Sequence, residues 1–165
     1  MRTRILALLL LAAPMPGAPA AAADLHRLWD DRCAECHGDA GDFARRTLTV
    51  TGGRLLGRRP ERDLRAFLLR HQGGLPAEEA DRVYGMLLAQ AGMPPLFQER
   101  CGICHVKASD LVRDRLILRD GVLVGRYTGR PVAAFLENHG RVGADEGPVF
   151  VGLLARIARE IAGGP

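Results

Sequence analysis

The sequence is poor in residues that could serve as alternatives to histidine in binding a metal. Of its 165 residues four are cysteines, and all four lie in two short motifs, so none is left elsewhere in the chain. Two of the four methionines, Met1 and Met15, lie near the start, which leaves Met86 and Met93. Lys107 is the only lysine, a bias toward arginine that a GC-rich genome would produce.

Long apolar runs are also scarce. The one unbroken run, residues 5–13, is too short to cross a bilayer as a helix, which needs about 20 residues. Arg2 and Arg4 precede this run, and small residues follow it at 20–23, so residues 1–23 are predicted to be a secretory signal peptide. No cysteine follows closely enough for a lipid anchor. We expect a mature chain that is periplasmic and soluble, with no membrane insertion.

The charge of the chain argues against nucleic acid as a partner. The formal net charge is +4, and removal of Arg2 and Arg4 with the signal peptide would leave +2. This small positive excess does not support a basic surface for a partner, so the sequence has no footprint of nucleic-acid binding. About 142 residues remain after the signal peptide, enough for one ordinary domain or two very small ones.

Two five-residue motifs of one pattern contain all of the cysteines. Residues 33–37 read Cys-Ala-Glu-Cys-His, and residues 101–105 read Cys-Gly-Ile-Cys-His. This pattern is typical of c-type haem attachment, because two thiols one helical turn apart can each add to a haem vinyl group, and the next histidine can bind the iron. We therefore expect two covalently bound haem c groups, held by Cys33, Cys36, Cys101 and Cys104.

A Cys-x-x-Cys pair has other uses, as a zinc half-site, a redox dithiol or a disulfide. A zinc site made of four cysteines would not need the histidine that follows both pairs. The predicted export signal also agrees with haem attachment, which takes place outside the cytoplasm. Both observations favour haem over zinc or a disulfide.

The two motifs belong to a longer internal duplication. A shift of 68 residues aligns residues 33–71 with residues 101–139 without a gap, and 16 of these 39 positions are identical. Beyond this stretch the offset becomes 67 residues. A duplication of this strength predicts two copies of one haem-binding unit, residues 24–92 and residues 93–165.

Each copy is predicted to contain about three helices and one short hairpin. The first helix carries the cysteine motif at its end, the second runs up to a histidine, and the third lies near residues 76–90 or 148–162. Gly-Gly at 52–53 and Asp-Gly at 120–121, between apolar and β-branched residues, predict tight β-hairpins. The expected fold is therefore mainly α, with two small tandem cytochrome c-like haem domains.

The second axial ligand of each iron is predicted from histidine spacing. His37 and His105 follow the cysteines directly, and His71 and His139 each lie 34 residues further on, at aligned positions. We expect bis-histidine ligation at both irons. Met93 stays an alternative at the first haem, whereas no methionine follows the second motif.

Further residues recur around these predicted ligands. An aromatic residue lies four positions before each first cysteine and another four positions before each distal histidine, and one arginine follows each hairpin. We expect these side chains to contact haem, the arginines through its propionates. They are Trp29, Phe97, Phe67, Phe135, Arg58 and Arg126. His26, the remaining histidine, is expected at the surface.

Two imidazoles on each iron would leave no open position for a substrate, and this ligation also gives a lower potential than Met/His ligation. We therefore expect an electron carrier rather than an enzyme. The alternatives are a haem enzyme of the peroxidase type and a gas sensor, in which one iron loses its distal ligand. Dihaem proteins that oxidise thiosulfate through a cysteine ligand are excluded by the cysteine count.

The mature chain resembles the bacterial periplasmic dihaem cytochrome c family. The resemblance lies in the Arg-Cys-x-x-Cys-His motifs that begin at Arg32 and Arg100, in His-x-Gly-Gly at 71–74, and in Asn-His-Gly at 138–140. It implies low-potential bis-histidine haems and an α-rich fold of two domains. It also implies a role as electron donor to a small high-spin cytochrome c that binds oxygen.

Overall fold

The computed structural model describes residues 23–58, 62–140, 142–143 and 145–164. Within these ranges the protein is mainly helical and contains two small antiparallel hairpins, as the sequence predicts. The predicted signal peptide lies outside the described residues, apart from Ala23 at its end. None of the described helices is long and apolar enough to span a membrane.

The two halves contain similar elements in the same order, but among the described residues a four-residue helix and a 3-10 turn occur in the first half alone. The first half contains α1 (Leu25–Arg32), α2 (Ala34–His37), α3 (Ala40–Thr47), β1 (Leu48–Thr51), β2 (Arg54–Gly57), α4 (Leu64–Leu68), a 3-10 turn (His71–Gly73) and α5 (Ala77–Ala91). The second half contains α6 (Leu96–Arg100), α7 (Ala108–Arg115), β3 (Leu116–Arg119), β4 (Val122–Gly125), α8 (Val132–Leu136) and α9 (Gly147–Ile161).

The first helix is capped by Asp24 and ends earlier than predicted. The Asp24 carboxylate caps α1 by accepting hydrogen bonds from the backbone N–H groups of residues 26 and 27, both at 3.0 Å. Leu25 and Trp29, four positions apart, are buried on one face of α1. The helix stops at Arg32, so the cysteine motif follows it as the separate short turn α2.

A helix that the sequence analysis did not predict lies between each motif and its hairpin. The Asp39 side chain caps α3 by accepting from the N–H groups of Gly41 and Asp42, at 2.9 and 3.0 Å. Ala40 and Ala44, four positions apart, are buried where α3 packs on α5. Its counterpart α7 packs on α9 in the same way. The expectation of about three helices in each copy was therefore wrong.

Both predicted hairpins are confirmed, with equivalent registers. Leu48 pairs with Gly57 in the first hairpin, and Leu116 pairs with Gly125 in the second. Both turn residues have positive φ in each case, 55° and 74° at positions 52–53 and 50° and 78° at positions 120–121. These are the dihedral signs of a two-residue type I′ turn, which matches the twist of the flanking strands.

The helix before each distal histidine is shorter than predicted. Helices α4 and α8 end at Leu68 and Leu136, and the histidines lie three residues further on. Asp63 caps α4, and Pro131 precedes α8. The long third helices α5 and α9 lie where the sequence places them. The distal histidines therefore stand on turns rather than on helices.

The apolar core is divided between the halves. One cluster contains buried residues from 25 to 87, and the second contains buried residues from 97 to 158. The most enclosed side chains include Leu55, Val83, Met86 and Leu87 in the first half and Phe150 in the second. The two clusters share no residue.

Candidate functional site

Each cysteine motif forms one helical turn. The N–H groups of Cys36 and His37 both donate to the Cys33 carbonyl, at 3.2 and 3.0 Å. The second motif repeats this, with the N–H groups of residues 104 and 105 donating to the carbonyl of residue 101 at 3.0 and 2.9 Å. In each motif the first thiol is half-buried and the second is exposed. The backbone thus places the two cysteines of each motif one helical turn apart, as the sequence predicts.

The four cysteines are unpaired thiols. In the described ranges no group of three or more His, Cys, Asp and Glu side chains lies close enough together to hold a metal ion. A zinc site, a redox dithiol and a disulfide therefore stay the alternatives to haem.

The histidine pairs are the central observation. The ring centroids of His37 and His71 lie 5.9 Å apart, and those of His105 and His139 lie 6.4 Å apart. Histidine nitrogens bind metals at about 2.0–2.1 Å, so two imidazoles on opposite sides of one metal have centroids about 6 Å apart. Both pairs already have this spacing, one in each half of the chain.

Aromatic stacking holds the two distal histidines. Phe67 stacks on His71 with centroids 4.5 Å apart, and Phe135 stacks on His139 at 4.3 Å. The turn that follows α4 presents His71, with Gln72 at φ 50° and the N–H of residue 75 donating to the Leu68 carbonyl at 3.1 Å. The two phenylalanines thus orient imidazoles that would otherwise rotate freely.

The second half contains a cavity of about 790 Å³ around its histidine pair. This volume lies within the range of about 300–1,000 Å³ found for ligand sites. Its apolar wall includes Phe97, Leu111, Val132, Leu136, Phe150 and Leu154. Arg115, Arg126 and Arg130 also line it, together with both motif thiols. An apolar cleft with two imidazoles, two thiols and guanidinium groups fits a flat apolar disc that carries two carboxylates.

In the first half the proximal histidine lies against aromatic side chains. The Phe43 ring is 4.7 Å from that of His37, and the Trp29 ring is 6.2 Å away. Trp29 is buried, and its Nε1 donates to the Gly38 carbonyl at 2.8 Å, so it anchors the turn after the motif. Phe97, its counterpart, is buried in the wall of the second cavity. Contact of either ring with haem stays a prediction.

Phe43 was missed by the sequence analysis. Its position falls in α3, the unpredicted helix, and its aligned residue in the second half is Leu111. Asp39, a good N-cap residue, was the signal that could have located this helix. Arg115 was missed for the same reason, since it ends α7 and its aligned residue is Thr47.

Arg58 and Arg126, the arginines that follow the two hairpins, both donate hydrogen bonds to backbone carbonyls. Arg58 donates from Nε to the Leu48 carbonyl at 2.7 Å and from Nη2 to the Arg45 carbonyl at 2.9 Å. Arg126 bonds the carbonyls at the equivalent positions 116 and 113, both at 2.9 Å. Each guanidinium therefore ties its hairpin to the preceding helix. Its remaining donors can still meet a carboxylate, and the propionate contact stays a prediction.

The protonation of the site favours metal binding. Burial, together with the nearby His71 ring, lowers the pKa of His37, which favours the neutral imidazole that a metal needs.

Burial raises the pKa of the Cys33 thiol against an opposing effect of Arg32, and burial also raises the pKa of Cys101. These two thiols are therefore less prone to thiolate reactions than exposed cysteines.

Met93 and His26, the two remaining candidate residues, lie away from the two histidine pairs. Met93 lines a small cavity of about 70 Å³ between the halves, together with His26 and Gln90. His26 is not at the surface as expected. Its Nε2 lies 2.8 Å from Glu160 Oε2 in α9, and only 12% of its side chain is exposed. The sequence could not show this contact, since 134 residues separate the two partners.

The chain was compared with protein-family models, with curated proteins and with solved structures. None of these three comparisons found a match.

Proposed function

We propose that this protein is a dihaem c-type cytochrome that carries electrons through two low-spin haems. Each haem would be attached through two thioether bonds, by Cys33 and Cys36 in the first half and by Cys101 and Cys104 in the second. His37 with His71, and His105 with His139, would be its axial ligands. The protein would act as a periplasmic carrier and not as an enzyme.

The observation that carries this proposal is the spacing of the two histidine pairs. Ring centroids 5.9 and 6.4 Å apart match two imidazoles on one metal, and the match occurs twice at aligned positions. An iron with two such ligands is six-coordinate and offers no position to oxygen or peroxide. One-electron transfer is the chemistry that such a haem supplies, and bis-histidine ligation favours a low potential.

The partner is proposed from chemistry and from the family resemblance. A carrier with two closed haems exchanges electrons with other redox proteins and not with a small substrate. The resemblance favours a small high-spin c-type cytochrome as the acceptor. Exchange with such a protein would require only close approach of the two cofactors, without proton or group transfer.

Electronic spectra of the haem-loaded protein test the proposal. Oxidised and reduced samples should show low-spin bands from both haems, and carbon monoxide should not change the reduced spectrum. His71→Ala and His139→Ala should each make one haem high-spin and able to bind carbon monoxide, while the second haem stays low-spin. The reason is that each substitution removes one of two axial ligands from a single iron.

His26→Ala is the matched control, because it removes a histidine that pairs with Glu160 and not with another imidazole. It should leave both haems low-spin. A high-spin fraction in the unmodified protein, or a rapid carbon monoxide shift, would instead favour the peroxidase-like enzyme or the gas sensor. Retention of both low-spin haems in His71→Ala would contradict the ligand assignment and point to Met93.

A further inference from the structure

Helix α1 connects the two halves by three polar pairs, which we call the α1 seam. Arg113 Nε lies 2.7 Å from Asp24 Oδ2, His26 Nε2 lies 2.8 Å from Glu160 Oε2, and Lys107 Nζ lies 3.0 Å from Asp30 Oδ1. Each pair joins a residue at or in α1 to an element of the second half. The halves therefore touch through specific charged and polar groups.

Two of these pairs are well shielded from water. The Arg113 and Asp24 side chains are 16% and 19% exposed, and Glu160 is 9% exposed. Arg156 holds the second oxygen of Glu160 at 2.5 Å. Breaking a shielded pair is costly, because it leaves a charge without a partner. The seam therefore defines one arrangement of the halves and resists sliding or separation.

The third pair joins the segments next to the two cysteine motifs, and its Lys107 and Asp30 side chains are 39% and 33% exposed. Asp30 precedes Cys33 by three residues, and Lys107 follows His105 by two residues. The pair thus links the helix that enters the first motif to the segment that leaves the second.

The duplication did not produce this contact. The residue aligned with Asp30 is Gln98, and the residue aligned with Lys107 is Asp39. The mirror-related pair would be Gln98 with Asp39, which cannot form an ion pair. The only lysine of the chain therefore stands at a position that distinguishes the halves and faces the boundary between them. The contact with Asp30 gives Lys107 a specific role, whereas the bias toward arginine explains only why lysine is rare in the chain.

We propose that the α1 seam as a whole fixes the two haem sites relative to each other and so sets electron transfer between them, with Asp30–Lys107 as its pair nearest in sequence to both cysteine motifs. This inference rests on the proposed function. The step moves one electron from the reduced iron, which becomes ferric, to the oxidised iron, which becomes ferrous. No bond forms or breaks, and no proton moves. Lys107 is a positioning residue, since it joins the segments that carry both attachment motifs.

The test uses haem-loaded protein and the variant Lys107→Met. A photochemical reductant reduces one site in a flash, and absorbance then follows electron equilibration between the sites. The magnetic interaction between the two ferric irons is measured separately by electron paramagnetic resonance. Lys107→Met should slow equilibration severalfold and weaken the interaction, and Asp30→Asn should do the same. Lys107→Arg should restore both, because it keeps the charge.

The matched control breaks an ion pair within one half. Arg65→Met removes the pair with Asp81, which joins α4 to α5, and it should leave both measurements unchanged. The inference is overturned if Lys107→Met behaves like Arg65→Met while both haems stay low-spin. Absence of low-spin haem in the unmodified protein would overturn the proposed function instead, so the two failures can be told apart.

Discussion

At the scale of single residues, Asp24 combines two roles that the sequence showed only in part. Its carboxylate caps α1, and it also accepts two hydrogen bonds from Arg113, at 2.7 and 3.2 Å. Burial alone would raise its pKa, but the hydrogen bonds from Arg113 and from the Arg27 backbone outweigh burial and hold the pKa below its usual range. Its charged form is thus favoured by folding.

Asp24→Asn should therefore destabilise the protein, although asparagine is an equally good cap. The expected loss is about 1–3 kcal/mol, the value of hydrogen bonds to a charged group. Because the folded-state pKa is lowered, this contribution is complete above the ordinary aspartate value of 3.8. It disappears as the pH falls through the lower folded-state value. Urea unfolding of both proteins across acidic pH measures the difference.

Asp31→Asn is the control, because Asp31 is exposed in the same helix. It should change the free energy of unfolding by less than about 0.5 kcal/mol. An equal effect of the two substitutions, or a difference that persists at the lowest pH, would show that the Arg113 pair does not stabilise the fold.

At the scale of elements, the hairpins follow directly from their turn residues. Two consecutive residues with positive φ are needed, and Gly-Gly and Asp-Gly supply them at least cost. The helices were harder to predict because their ends depend on packing. Helix α4 ends at Leu68, and the Leu68 carbonyl accepts a hydrogen bond from the Leu75 N–H. That contact involves a residue seven positions away, which helical spacing alone does not indicate.

Gly121→Ala and Gly152→Ala should have opposite effects on stability. Gly121 has φ 78°, where a side chain costs about 1–2 kcal/mol. Gly152 lies inside α9 with open space around its Cα, and alanine there should add about 0.5–1 kcal/mol. Thermal unfolding of the two variants measures both changes. Loss of stability in both variants would show that the α9 glycine has a packing role.

At the scale of the whole molecule, two separate cores predict two separable haem sites. The hydrophobic clusters share no residue, and the first cysteine of one motif packs against each of them. Cys101→Ala with Cys104→Ala should therefore leave one covalent haem in place of two. The remaining haem should stay low-spin. Intact mass and haem absorbance per chain measure the outcome.

The matched double variant is Cys33→Ala with Cys36→Ala, which should keep only the haem of the second half. Each double variant should also lose stability in its own half, since a cleft built around a cofactor would lose its contents. Loss of both haems from either variant would contradict the division into two units at residues 92 and 93.

The sequence alone determined the features that depend on local spacing. The attachment motifs, the hairpin turns and the pairing of His71 with His37 and His139 with His105 all follow from short or repeated intervals. Tertiary structure alone decided how α3 and α7 support the sites, how Phe43 meets His37, and how His26 meets Glu160 across 134 residues. Such contacts arise from the docking of distant faces, and no periodicity along the chain records which faces will meet.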